Sequence, residues 1–288
     1  MRKLLQLFYF PIFFIGGMGS IVWIIGENLP ITWAWLVMAT AIALSFICER
    51  VLPWQPSWNS SQKDGLRDVL HVAVNTSLTH SSLLLLPLLA AMAPLSSLWP
   101  ERWPFWGQVL MAILILDFGI AAVHHQSHRW NWLWQFHAVH HSVTRMYGFN
   151  GLMKHPLHQC VETAIGIAPL WIMGIPADVA QALTFCVALQ LLLQHSNVDY
   201  RTGPIKYLLA NAEVHRFHHL RPPANGDINF GLFTTVYDHV AGTFFYDAKT
   251  APRDSEAIGL SDQFPQRYDH QIAHPFLHIF EKAKRSKH

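Results

Sequence analysis

The residues best equipped for chemistry in this 288-residue chain are its 19 histidines. Four groupings stand out: His124-His125-Gln126-Ser127-His128, His137-Ala138-Val139-His140-His141, the single His195, and His215-Arg216-Phe217-His218-His219. On a helix, residues i, i+3 and i+4 share a face. His124 and His128 are therefore aligned. So are His137, His140 and His141, and likewise His215, His218 and His219. Each group can turn two or three ring nitrogens toward one point, and imidazole is the commonest metal-ligating side chain. One zinc needs only three or four ligands. Eight or nine converging imidazoles suit two metals with about four or five ligands each.

The donor set narrows the metal. Cys48, Cys160 and Cys186 have no C-x-x-C spacing and lie outside the four histidine groupings, which disfavours a zinc–thiolate site or an iron–sulfur cluster. The H-E-x-x-H pattern of zinc proteases is absent. Imidazole suits iron, copper, nickel and zinc. Two irons can share the electrons needed to split O₂, a task for which redox-inert zinc is poorly equipped. The expectation is a non-haem pair of iron ions with O₂ as co-substrate. The scattered His71, His80, His239, His270, His274, His278 and His288 are read as interfacial anchors or caps.

Several residues stand in support. Asp117 lies inside an apolar run, seven residues before His124, and a carboxylate there marks a functional site. It is expected to orient a histidine or to face another polar group. Asp199, four residues after His195, is a candidate ligand or hydrogen-bond acceptor for one. His155 precedes Pro156, which suits a first helical turn; it is a candidate tenth ligand, with a capping role as the alternative. His158 is a weaker candidate one turn on. Asn229 and Gly231 are expected to shape a turn.

The elements that position these residues are apolar. Apolar residues make up 51% of the chain and charged ones 13%, about half the usual charged share of a soluble domain. The mean hydropathy is positive. A net charge of +2, without a basic stripe interleaved with aromatics, argues against nucleic acid. Apolar runs cover about 4–26, 31–48, 69–98, 105–123, 160–175 and 177–194, and a bilayer crossing needs ~20 residues. No A-x-A site follows the first run, so it reads as a span rather than a signal peptide. Gly174-Ile175-Pro176-Ala177 splits the last two runs and predicts a tight helical hairpin. The fold expected is all-α: a polytopic membrane protein of about six spans with a histidine-rich cap. With the N-terminus cytosolic, 19 of the 20 Lys and Arg lie on the cytosolic side and only Arg102 lies outside. Both termini and the histidine groups then share that face. Trp99, Trp103, Trp106, Trp130, Trp132 and Trp134 fit an interfacial aromatic belt.

Taken in order, D-F-G-I-A-A-V-H-H-Q-S-H (117–128), F-H-A-V-H-H-S (136–142), K-H-P-L (154–157), Q-H-S-N (194–197), H-R-F-H-H (215–219), D-I-N-F-G (227–231) and Y-D-H-V-A-G-T-F (237–244) resemble the fatty acid hydroxylase/sterol desaturase superfamily of integral-membrane di-iron enzymes. The resemblance runs from about Asp117 to Tyr246. It implies a helical membrane fold with a cytosolic di-iron cap and O₂-dependent hydroxylation or desaturation of a sterol or fatty-acyl lipid. It departs at His125, where the family more often has Arg. Residues 1–100 carry no specific match, and the whole of 1–288 reads as one membrane domain with its catalytic region at 117–246. No flavin or NAD fingerprint, C-x-x-C-H or four-cysteine cluster is present. Electrons are therefore expected from a separate ferredoxin, rubredoxin or b-type cytochrome with its reductase. The rival reading, a histidine-rich metal transporter or sensor, requires ligands at bilayer depth, whereas these histidines lie at span ends.

Overall fold

The structure, a computed structural model, describes residues 2–90, 98–221, 226–253, 257–260 and 264–285. Among these residues there is no strand, only three isolated bridges. α1 (Arg2–Pro11) and α2 (Met18–Gly26) are joined by a π-helical turn over Ile12–Gly17, which makes the first apolar run one continuous helix. Then come α3 (Thr32–Val51), α4 (Gly65–Ala90), α5 (Phe105–Arg129), α6 (Asn131–His141), α7 (Pro156–Ile172), α8 (Ala177–Gln194), α9 (Ala212–His218), α10 (Val236–Ala241) and α11 (Tyr268–Arg285).

Four segments among the described residues are long and apolar enough to cross a membrane: Arg2–Gly26, Thr32–Val51, Phe105–Arg129 and Ala177–Gln194. Their outer faces expose Leu7, Ile15, Trp23, Leu36, Leu110 and Phe118. The other two expected runs fare differently. The run at 160–175 falls on α7, whose 17 residues are short of the ~20 needed, and whose first turns bury the polar His158 and Glu162. The run at 69–98 falls on α4 and on residues 91–97, which lie outside the described residues.

Two backbone features set the histidine-bearing helices. α5 meets α7 at Gly119 and Gly166, where a Cβ on Gly119 would stand 2.9 Å from the Gly166 Cα. Small residues let apolar helices approach this closely. The α7–α8 connection is the tight hairpin that Gly174-Ile175-Pro176 predicts. Gly174 takes φ 80°, its N–H donates to Trp171 O, and the Ile175 N–H donates to Leu170 O at 3.0 Å. That pattern closes a helix with a left-handed glycine. The core between α2, α5, α7 and α8 is apolar, with Ile21, Ala112, Leu116, Leu170, Ala182 and Leu189 buried.

Candidate metal centre

α5 delivers His124 and His128, α6 delivers His137, His140 and His141, the end of α8 delivers His195, and α9 with its cap delivers His215, His218 and His219. These nine form two groups. His124, His128, His137, His141 and His218 make the first; His140, His195, His215 and His219 make the second. Within each, the candidate ligand atoms lie within 4.8 Å of one another. Nε2 atoms stand 3.0 Å apart in His128–His141 and His195–His215, and 3.1 Å apart in His137–His141 and His215–His219.

Hydrogen bonding fixes which nitrogen faces inward. A carbonyl only accepts, so a ring nitrogen bonded to it carries the proton. His124 Nδ1 donates to Phe230 O (3.0 Å), His218 Nδ1 to Ile228 O (2.8 Å) and His140 Nδ1 to Met153 O (3.2 Å). His128 Nδ1 pairs with the Asp227 carboxylate at 2.7 Å. In each of these four rings, if neutral, Nε2 is left with its lone pair. The buried His124 and His218 Nε2 atoms have no partner among the described residues. Burial first, and neighbouring imidazoles second, hold His137, His140, His141, His195, His215, His218 and His219 well below the usual histidine value. The neutral form is the one that binds metal.

The loop that supplies the carbonyls is itself fastened. Asp117 accepts the Leu232 and Phe233 amides on one oxygen (both 2.8 Å) and the Thr234 amide and hydroxyl on the other (2.9 and 2.6 Å). Asp238 accepts the Phe230 and Gly231 amides. Gly231 is required there, because a Cβ would meet Thr234 O at 1.9 Å. Asn229 takes φ 58° and donates to Val214 O and Phe245 O, so it shapes this turn rather than reaching the histidines.

Not every candidate joins the groups. His125 points aside, stacked on Phe230 and bonded to the Tyr237 hydroxyl at 3.0 Å. His155 is not brought to either group. It caps α7, its Nδ1 accepting the Leu157 amide, while Nε2 lies 3.2 Å from Ile272 O. Asp199 also lies elsewhere, tied to Gln6 at 2.8 Å, Arg201 at 3.1 Å and Arg2 at 3.3 Å. The chain leaves the helix at His195, so helical spacing no longer carries Asp199 back to the site. His158 forms a third cluster with His137 and Glu162. Glu162, Lys154, Asp227 and Asp238 were not among the sequence candidates. Glu162 had one available signal, its i+4 spacing from His158.

A helical chain with membrane-length apolar segments and two adjoining groups of buried imidazoles has the architecture of a membrane-type histidine-cluster protein. Residues 109–243 match the family model for fatty acid hydroxylase, and that match, with the lipid-modifying relatives below, supports the resemblance to the fatty acid hydroxylase superfamily. An ornithine lipid hydroxylase from Rhizobium tropici is 27% identical over 92% of this chain and 82% of its own length. The similarity therefore reaches into residues 1–100. An alkylglycerol monooxygenase from Xenopus tropicalis is 26% identical over 51% of the chain but only 31% of that protein. A very-long-chain aldehyde decarbonylase from Oryza sativa is 27% identical over 50% of the chain and 24% of that protein. No solved structure matches.

Proposed function

We propose that this protein is an O₂-dependent di-iron oxidoreductase that hydroxylates a C–H bond of a fatty-acyl membrane lipid. The observation that carries the reading is the pair of imidazole groups set at the end of an apolar cavity. Leu116, Ile120, Leu152, Leu183, Val187 and Leu191 line that cavity, together with Gln159 and four threonines. Ile120 and Leu191 also line the space bounded by His124, His140, His195 and His215.

The donor set fits two irons. Nine imidazoles, no thiolate among them, would supply five ligands to one ion and four to the other. When bound, the irons supply the O₂ chemistry that no side chain provides. The chain's own residues do the rest. Backbone carbonyls hold the rings as single tautomers, Asp117 holds the carbonyl-bearing loop, and the apolar walls keep water from the reacting carbon. Relatives named a hydroxylase and a monooxygenase favour oxygen insertion over desaturation.

In this reading electrons come from a separate small carrier, a ferredoxin, rubredoxin or b-type cytochrome, with its reductase. The whole of 1–288 is one membrane domain with its active site and both termini on the cytoplasmic side. A metal transporter is disfavoured because the imidazoles gather at one end of α5 and α8 rather than along them. Elemental analysis of protein from iron-supplied cells, paired with lipid mass spectrometry of cells with and without the gene, tests the proposal. The expected results are about two irons per chain and a lipid that gains one oxygen. One metal per chain, or an unchanged lipid profile, overturns it. Zinc can displace iron in overproduced protein, because zinc stands above Fe²⁺ in the divalent affinity order.

A further inference from the structure

Behind the first imidazole group lies a buried polar chain that the proposed reaction does not use. Lys154 donates to Glu162 Oε2 at 2.5 Å, and both residues are buried. On the other side of Glu162, Oε1 faces His158 Nδ1 at 3.7 Å. His158 Nε2 lies 2.8 Å from the Ser127 hydroxyl, and that hydroxyl already donates to Val123 O at 2.7 Å. The Ser127 oxygen can therefore only accept from His158, and His158 carries its proton on Nε2. Its Nδ1 is then a bare acceptor facing a carboxylate oxygen, another acceptor. Both atoms are buried without a partner, and so is His137 Nδ1. His137, His158 and Glu162 each offer an atom within 4.8 Å of the other two. His137 turns Nε2 toward His141 in the first group, which leaves Nδ1 as its free donor.

We propose that one water sits among these three atoms. It accepts from His137 Nδ1–H and donates to His158 Nδ1 and Glu162 Oε1. Three atoms no more than 4.8 Å apart leave a position within hydrogen-bond reach, about 2.8 Å, of all three, and three hydrogen bonds are the usual complement of a buried water. All three orphaned atoms are satisfied at once, and the conflict between two facing acceptors is removed. The alternative occupant, a third metal ion, is disfavoured by the Lys154 ammonium on the same carboxylate. Glu162, His158 and Lys154 are then positioning residues. They hold His137 as the Nδ1–H tautomer with Nε2 toward the first metal, and the carboxylate raises the ring's basicity.

This inference rests on the two-metal reading, so its test reads each metal site separately. Metal-free full-length protein in detergent is titrated with Co(II) against a competing chelator, following cobalt's visible absorption. The wild type is expected to bind two cobalt ions. Glu162→Gln keeps the shape but removes the charge. The double variant Lys154→Met with Glu162→Met removes both charges and leaves no unpaired buried ion. Both are expected to weaken one site about 10- to 100-fold, with an altered cobalt spectrum, and to leave the other unchanged. Wild-type affinity at both sites in either variant overturns the proposal, as does equal weakening of both sites. A third cobalt in the wild type also overturns it. A wild type that binds no cobalt overturns the two-metal reading together with it.

Discussion

His124 Nδ1 lies 3.0 Å from the main-chain carbonyl of Phe230, joining the end of α5 to the loop that closes the site. The contact makes Nδ1 the protonated nitrogen and leaves Nε2 free for metal. The same loop is clasped by Asp117, seven residues earlier on the same helix. One helix thus carries both a candidate ligand and the carboxylate that holds that residue's hydrogen-bond partner in place.

His124→Ala is therefore expected to lower metal content toward one ion per chain and to abolish activity. His125→Arg removes only a ring outside the groups, bonded to the Tyr237 hydroxyl, and is expected to keep both metals and much of the activity. Elemental analysis of the two purified variants decides it. Metal lost from His125→Arg but kept by His124→Ala would reverse the assignment.

Local patterns made much of this legible. The histidine spacings and the Gly-Ile-Pro break are properties of a few consecutive residues, and helical geometry translates them directly. Which histidine joins which group was not legible. His137, His140 and His141 share one face of α6, yet His140 joins the second group and its neighbours the first, because α6 lies between the two. Asp199 misled for a related reason, since the spacing rule ends where the helix ends. Glu162 was hidden because it lies within a stretch that reads as an apolar span.

Asp117→Asn replaces one acceptor oxygen with an NH₂ that faces backbone N–H donors. Hydrogen bonds to a charged group contribute about 1.5–3 kcal/mol each, so a loss of roughly 3 kcal/mol is expected. Because Asp117 clasps the loop contacting His124, metal content should fall as well. Thermal unfolding in detergent beside metal analysis measures both. A variant with wild-type Tm and two metals would show that the clasp is dispensable.

Acid is expected to unfold the metal-free protein readily. The buried histidines outside the spans have folded pKa values well below the unfolded value of about 6.5. Below that value the unfolded chain takes up protons that the folded chain excludes. Stability is therefore complete above about pH 6.5 and falls as pH drops toward the depressed folded values. The Tm of metal-free protein between about pH 8 and pH 5 should decline on the acid side only, and a flat profile would contradict the neutral, buried state of these rings.

The distribution of Lys and Arg predicts orientation. Reporter fusions after Arg102 and at the C-terminal end are expected to report opposite sides of the membrane, with the C-terminus cytosolic. Both reporters on one side would rule out the arrangement in which the basic segments share the face of the histidines.

The apolar cavity yields a prediction separable from metal binding. Val187, Ala188 and Leu191 on α8 line it together with Leu116 and Ile120 on α5, and only Ile120 and Leu191 also border the histidines. Ala188 is thus a wall residue away from the metal groups. Ala188→Phe adds a ring to that wall, where an extended acyl chain is proposed to lie. Overpacking of this kind costs typically about 1–3 kcal/mol, which corresponds to roughly a 5- to 100-fold loss if it falls on substrate binding. The variant should keep two metals per chain, because no imidazole or carbonyl partner is displaced. Its loss should fall mainly on KM and be smaller for shorter acyl chains. Iron analysis and kinetics across a chain-length series measure this. Unaltered kinetics for every chain length would show that the substrate enters by another route, while loss of iron would show that the cavity wall supports the metals themselves.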